Sequence, residues 1–139
     1  MMAKEYLKRA IHIEREIDSL LEHLAELRSM ATKATATVTD MPGSPTRDSS
    51  KMEDAILKII EQEEEIDARV NELVDVKREI ELAINHVTDD ECRQVLRLRY
   101  LAFKSWDDVA ACMRYNVRQV YRIHAEALKK FQIPESCQS

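Results

Sequence analysis

Apolar residues fall at Tyr6, Ala10, Ile13, Ile17, Leu20, Leu24, Leu27, Ala31 and Ala34, alternating steps of four and three without a slip. Residues three and four apart share one helical face, so this spacing is the seam of a coiled-coil helix. A second run repeats it through Met52, Ile56, Ile59, Glu63, Ile66, Val70, Leu73, Lys77, Ile80, Ile84 and Val87. Leu7 and Leu21 in the first run, and Ile60, Val74 and Ala83 in the second, widen each stripe beyond a two-stranded seam. That extra width suits packing against more than one neighbour. Glu63 and Lys77 interrupt the second seam, where a polar group either fixes register or lifts its head to solvent at the edge. One Gly and three Pro in 139 residues leave few helix breakers, and the fold class predicted is all-α.

The breakers that exist are clustered. Residues 38–50 read V-T-D-M-P-G-S-P-T-R-D-S-S, a linker in which Pro42, Gly43 and Pro45 should end the first helix. Ser50 is expected to cap the second, with Glu53 completing a capping box. Two long helices so joined can fold back as an antiparallel hairpin or pair between chains as a coiled coil. They make up an expected first region, residues 1–88. The second helix should break near Thr88, where Asp89 can cap the next one.

Residues 89–131 differ in charge from everything before them. From Arg93 to Phe131 nine Lys/Arg face three Asp/Glu, a net of +6, while the rest of the chain carries −11 within a total of −5. Clustered cations attract phosphate backbones whatever the charge of the whole chain. Ser105 before Trp106, Asp107 and Asp108 reads as a helix N-terminus with an acidic first turn. Ala110 is small enough for two helices to cross closely, Arg114 and Tyr115 make a turn, and Asn116 can cap a further helix. There Val117, Val120, Ile123, His124, Ala127, Leu128 and Phe131 form an inward stripe, with Arg118, Gln119, Tyr121 and Arg122 opposite. Two helices joined by so tight a turn form a helix-turn-helix, whose second helix offers its N-terminal residues to the major groove. Arg can bridge guanine O6 and N7, and Gln adenine N6 and N7. The predicted architecture is therefore two long helices followed by a three-helix DNA-binding module over 89–131, with 132–139 as a tail.

The segments R-Q-V-L-R-L-R-Y, S-W-D-D-V-A and N-V-R-Q-V-Y-R-I-H-A-E-A-L-K-K-F resemble the fourth conserved region of sigma-70-type factors, which binds the −35 promoter element. That resemblance implies that Ser105 contacts phosphate, that Val117, Arg118 and Arg122 approach bases, and that Gln119 and Tyr121 approach the backbone; Asn116 opens the same helix. Val117 stands where the family has a polar residue, so base recognition is expected to differ from that at a housekeeping promoter. Arg114 takes a turn position often held by Gly or Asp. The whole chain is similar to small phage and prophage sigma-like proteins of the late-gene activator and autolysin-regulator type. This implies a transcriptional regulator, but no complete sigma factor, because no aromatic-rich segment for melting DNA is present.

Double-stranded DNA, RNA polymerase and a second copy joined through the long helices are the partners expected. Cys92, Cys112 and Cys137 form no CxxC pair, which fits a reducing cytoplasm, and the N-terminus shows neither a signal peptide nor a membrane span. His12, His23, His86 and His124 lack the spacing of a zinc site, so no cofactor, metal or enzymatic activity is expected. Two rival expectations are a DNA-packaging adaptor resembling a small terminase subunit, and a polymerase-binding protein that does not itself touch DNA.

Overall fold

The computed structural model describes residues 1–40 and 45–135, those of 34–40 and 45–49 by their backbone alone. Their regular structure is all-α, with no strand among the described residues: α1 (Ala3–Leu7), α2 (Arg9–Asp40), α3 (Pro45–Asn85), α4 (Asp90–Leu96) continued by a π turn over Arg97–Leu101, α5 (Trp106–Met113) and α6 (Val117–Lys130). No described helix is long and apolar enough to cross a membrane.

Both long helices enter the stretch expected as a linker. α2 continues to Asp40 and α3 begins at Pro45, so Ser50 lies inside α3 and does not cap it. Proline suits the first helical position, where its missing amide has no intrahelical acceptor and its φ is already helical. Pro42 and Gly43, expected to break the first helix, and the side chain of Ala34 lie outside the described residues. α3 ends at Asn85, slightly before the expected break, and the amides of His86 and Val87 close on Ala83 and Ile84 at 3.2 and 2.9 Å. Asp89 caps α4 as expected, accepting the Cys92 amide at 3.1 Å.

The chain divides into two compact units, one of residues 15–71 and one of 1–14 with 72–139. In the first, α2 and α3 run antiparallel within the chain, tied by Glu16–Arg69 at 3.1 Å, Gln62 to the Leu20 carbonyl at 3.4 Å, and Arg28–Glu63 at 2.6 Å. Ile17, Leu24 and Ile66 are its buried apolar side chains among those described. On α2 the seam falls as expected, but on α3 it is completed one residue away. Ala55, Gln62 and Arg69 are half-buried, while Ile56 and Val70 remain 48% and 40% exposed. A three-four pattern through Met52, Ile59 and Ile66 can be completed on either side, and a single neighbour covers only one side. Gln62 and Arg69 tolerate the seam because their stems pack while their polar ends reach Leu20 and Glu16.

The other unit packs the ends of the long helices with α4, α5 and α6. Tyr6, Leu7, Ile80, Ile84, Val95, Leu96, Val109 and Val120 are its largest fully buried side chains. Polar contacts fasten the same elements: Tyr6 donates to Glu79 at 3.0 Å, Arg93 donates to the Val87 carbonyl at 2.8 Å, and Lys130 meets Asp89 at 3.4 Å. The Tyr6 and Phe131 rings lie 5.7 Å apart.

Candidate nucleic-acid interface

The helix-turn-helix forms from its caps inward. The Ser105 hydroxyl accepts the Asp108 amide at 3.2 Å and opens α5. α5 closes on Arg114, which is left-handed at φ 61° and ψ 38°, with the Tyr115 amide returning to the Ala110 carbonyl at 3.0 Å. This six-to-one closure turns the chain sharply and satisfies a carbonyl the helix end would otherwise leave open. Asn116 then opens α6 with a full capping box: its carboxamide accepts the Gln119 amide at 2.8 Å, and Gln119 accepts the Asn116 amide at 3.1 Å. Between the helices Val109, Ala110 and Val120 form a buried cluster, against which Leu98, Trp106, Met113, Tyr115 and Val117 pack. Ala110 sits where a small residue was expected.

Of the expected site residues, Arg118, Gln119, Tyr121 and Arg122 are exposed together on the outer side of α6, with Asn116 exposed at its start and Ser105 at the start of α5. Neither Arg118 nor Arg122 forms an ion pair among the described residues. Arg122 borders a small cavity lined also by Glu91 and Glu126. Three other cations of the segment are engaged, Arg93 with Asp90, Arg97 with Asn85, and Lys130 with Asp89 and Glu126, while Lys104, Arg114 and Lys129 likewise form no ion pair among the described residues. Val117 is half-buried on the α5–α6 cluster, so only part of its surface faces out. Gln119 has its acceptor oxygen committed to the cap. Its amide nitrogen remains able to donate to phosphate, whereas bidentate pairing to adenine would require opening the cap. Ser105 can likewise accept within the cap and still donate its hydroxyl proton outward.

Beneath this face Tyr121 and His124 meet Trp106 and Arg99, to whose side chains sequence reasoning gave no role. The Trp106 ring meets Tyr121 edge-on at 5.3 Å and His124 at 4.6 Å, and the Arg99 guanidinium lies 4.5 Å over its face. Arg99 also donates to the Lys104 carbonyl at 2.8 Å. No spacing rule signals the set, because the π turn at Arg97–Leu101 sets where Arg99 points. His124, expected as a half-buried core residue, is buried and 2.6 Å from the Tyr100 hydroxyl. Burial, helped by the charges of Lys4, Arg99 and Lys8, pushes His124 down to about 4. Burial pushes Tyr100 up to about 12, slightly opposed by Arg99. Both groups are therefore neutral at pH 7, and the imidazole tautomer sets which of the two donates.

No group of three His, Cys, Asp or Glu side chains among the described residues could hold a metal ion. No curated protein and no solved structure matches the chain. Residues 39–132, which take in all of α3 to α6, match the model of DUF1492, described as a protein of unknown function. The cap, turn and outward arginines thus fall within the matched region, and the chain belongs to the DUF1492 family.

Proposed function

We propose that this chain is a sequence-specific DNA-binding transcriptional regulator of phage or prophage origin, resembling sigma region 4 and acting in the cytoplasm at promoters with RNA polymerase. α6 enters the major groove, where Arg118 and Arg122 bond guanine edges and Val117 adds an apolar contact. Ser105, Asn116, Gln119 and Tyr121 hold the phosphate backbone. The observation that carries this reading is the pair of guanidinium groups left without carboxylate partners on a helix whose start is fixed by a turn and a reciprocal cap. A guanidinium is a planar fork that matches guanine O6 and N7, and it discriminates only when its helix is held in one register. A second copy would supply a second module, since one small helix-turn-helix covers a single half-site.

Genome-wide DNA capture with the purified protein, beside an Arg118→Ala/Arg122→Ala variant, tests it. The expected result is one recurring motif upstream of phage genes that the variant does not retrieve. Each single substitution should weaken specific binding by about 1–3 kcal/mol. Unchanged affinity in both would refute the assigned face. Ring-sized particles would favour a packaging adaptor, and polymerase binding without salt-sensitive duplex binding would favour a pure interaction protein.

A further inference from the structure

The unit of residues 15–71 has two unlike sides. Leu21 and Arg28 are seven residues apart on α2 and share one face, and Ile56, Ile60, Glu63 and Val70 share one face of α3. The Arg28–Glu63 ion pair at 2.6 Å joins these faces on one side of the helix pair. The opposite side carries Glu16 and Arg69, joined at 3.1 Å. The first side is the apolar one: Leu21, Ile56, Ile60 and Val70 are all 40–48% exposed. Antiparallel order puts Leu21 and Val70 at one level, Arg28 and Glu63 at the next, and Ile60 and Ile56 beyond.

We infer that this side is an interface between two copies of this chain, related by a two-fold axis running along the helices. A two-fold interface must match itself, each residue meeting the counterpart of its own neighbour. Here the pattern does. With that axis α2 of one copy packs on α3 of the other, Arg28 faces the partner's Glu63, and Leu21 faces the partner's Val70. The reciprocal contacts follow by symmetry, giving alternating charges at the centre with apolar groups on both sides. A stretch of polar seam between apolar layers is how helical bundles fix register. The helix pair alone buries only Ile17, Leu24 and Ile66 among its described apolar side chains, and a second pair supplies the missing layer. Asp67 lies on the same stripe without an ion pair among the described residues and opposes association. The inference deepens only the dimer in the reading above and needs nothing from the DNA contacts of α6.

Sedimentation equilibrium of the full chain without DNA tests it. The wild type should be a dimer, and Ile60→Glu should weaken association by about a hundredfold through a desolvated carboxylate in an apolar layer. Arg28→Glu and Glu63→Arg should each be monomeric, because all four central charges then share one sign. Mixed in equal amounts, these two variants should form one-to-one heterodimers, which also shows that both are folded. Asp67→Asn should tighten the dimer. A wild type that stays monomeric overturns the proposal and leaves the face to a different partner. Dimers that survive Ile60→Glu, or charge variants that ignore each other, overturn it too. Duplex binding is read separately, so either result stands without the other.

Discussion

Two stretches of α3 obey the same spacing and meet different fates. Over 72–85 Val76, Ile80, Ala83 and Ile84 are buried, whereas over 52–71 only Ile66 is. In the unit that contains α4 to α6, the residues on both sides of Ile80 are covered, Ile84 on one and Val76 and Ala83 on the other, although Val74 stays 54% exposed. In the two-helix unit Ala55, Gln62 and Arg69 on one side are half-buried, while Ile56 and Val70 on the other are exposed. Spacing decides which residues share a face, and the number of neighbours decides which faces are dry. Truncation should expose that contrast. Leu96→Ala removes a fully buried side chain and should cost about 2–5 kcal/mol. Leu57→Ala, on the outer side of the two-helix unit and 57% exposed, should stay within about 0.5 kcal/mol. Urea unfolding followed by helical circular dichroism reads both, and equal losses would erase the distinction between the units.

The pH dependence of the larger unit should sharpen the contrast further. His124 is neutral and buried beside Tyr100, its pKa pushed down to about 4. The unfolded chain, with an ordinary histidine near 6.5, binds the proton at higher pH than the folded chain does. Stability is therefore full above pH 6.5, falls as the pH drops from 6.5 to 4, and levels off below that. The loss should be on the order of 2 kcal/mol. His124→Phe should flatten this part of the profile. A slope that persists in the variant would assign the acid sensitivity elsewhere.

Much of this was legible in the sequence, and the limits have physical causes. The α2 seam, the caps at Asp89, Ser105 and Asn116, and the outward set Arg118, Gln119, Tyr121 and Arg122 follow from local spacing and local hydrogen bonds, which a sequence carries directly. The inward column of α3 was misread because Ile56 and Val70 are more apolar than Gln62 and Arg69, and hydrophobicity alone cannot tell how many neighbours a helix has. The start of α3 was misplaced because Pro45 breaks a helix from inside but begins one readily. The N-x-x-Q spacing of Asn116 and Gln119 carries a capping box as well as pairing chemistry, and the local hydrogen bonds of the cap take the Gln119 oxygen. The Arg99–Trp106–Tyr121 set was out of reach, since a π turn shifts the register by which helical neighbours are counted.

The smallest expected effect concerns backbone strain. Phe103 at φ 57° and Arg114 at φ 61° are the non-glycine residues with positive φ among those described, and both lie in the unit with the larger core. Strain of this kind persists only where surrounding contacts over-determine the chain. A side chain in the left-handed region costs about 1–2 kcal/mol, and glycine removes that cost while adding about 0.5–1 kcal/mol of unfolded-state entropy. Arg114 is exposed, so Arg114→Gly should raise stability by a few tenths to about 1 kcal/mol. Phe103 relieves the same strain when replaced but also holds the Lys77 ammonium 4.5 Å over its ring, an attraction of about 0.5–1 kcal/mol. Phe103→Gly should therefore gain nothing or lose stability. Thermal midpoints of the two variants compare them directly. An Arg114→Gly variant no more stable than the wild type would mean that the turn tolerates its arginine without strain, and a clear gain from Phe103→Gly would mean that the Lys77 contact contributes nothing.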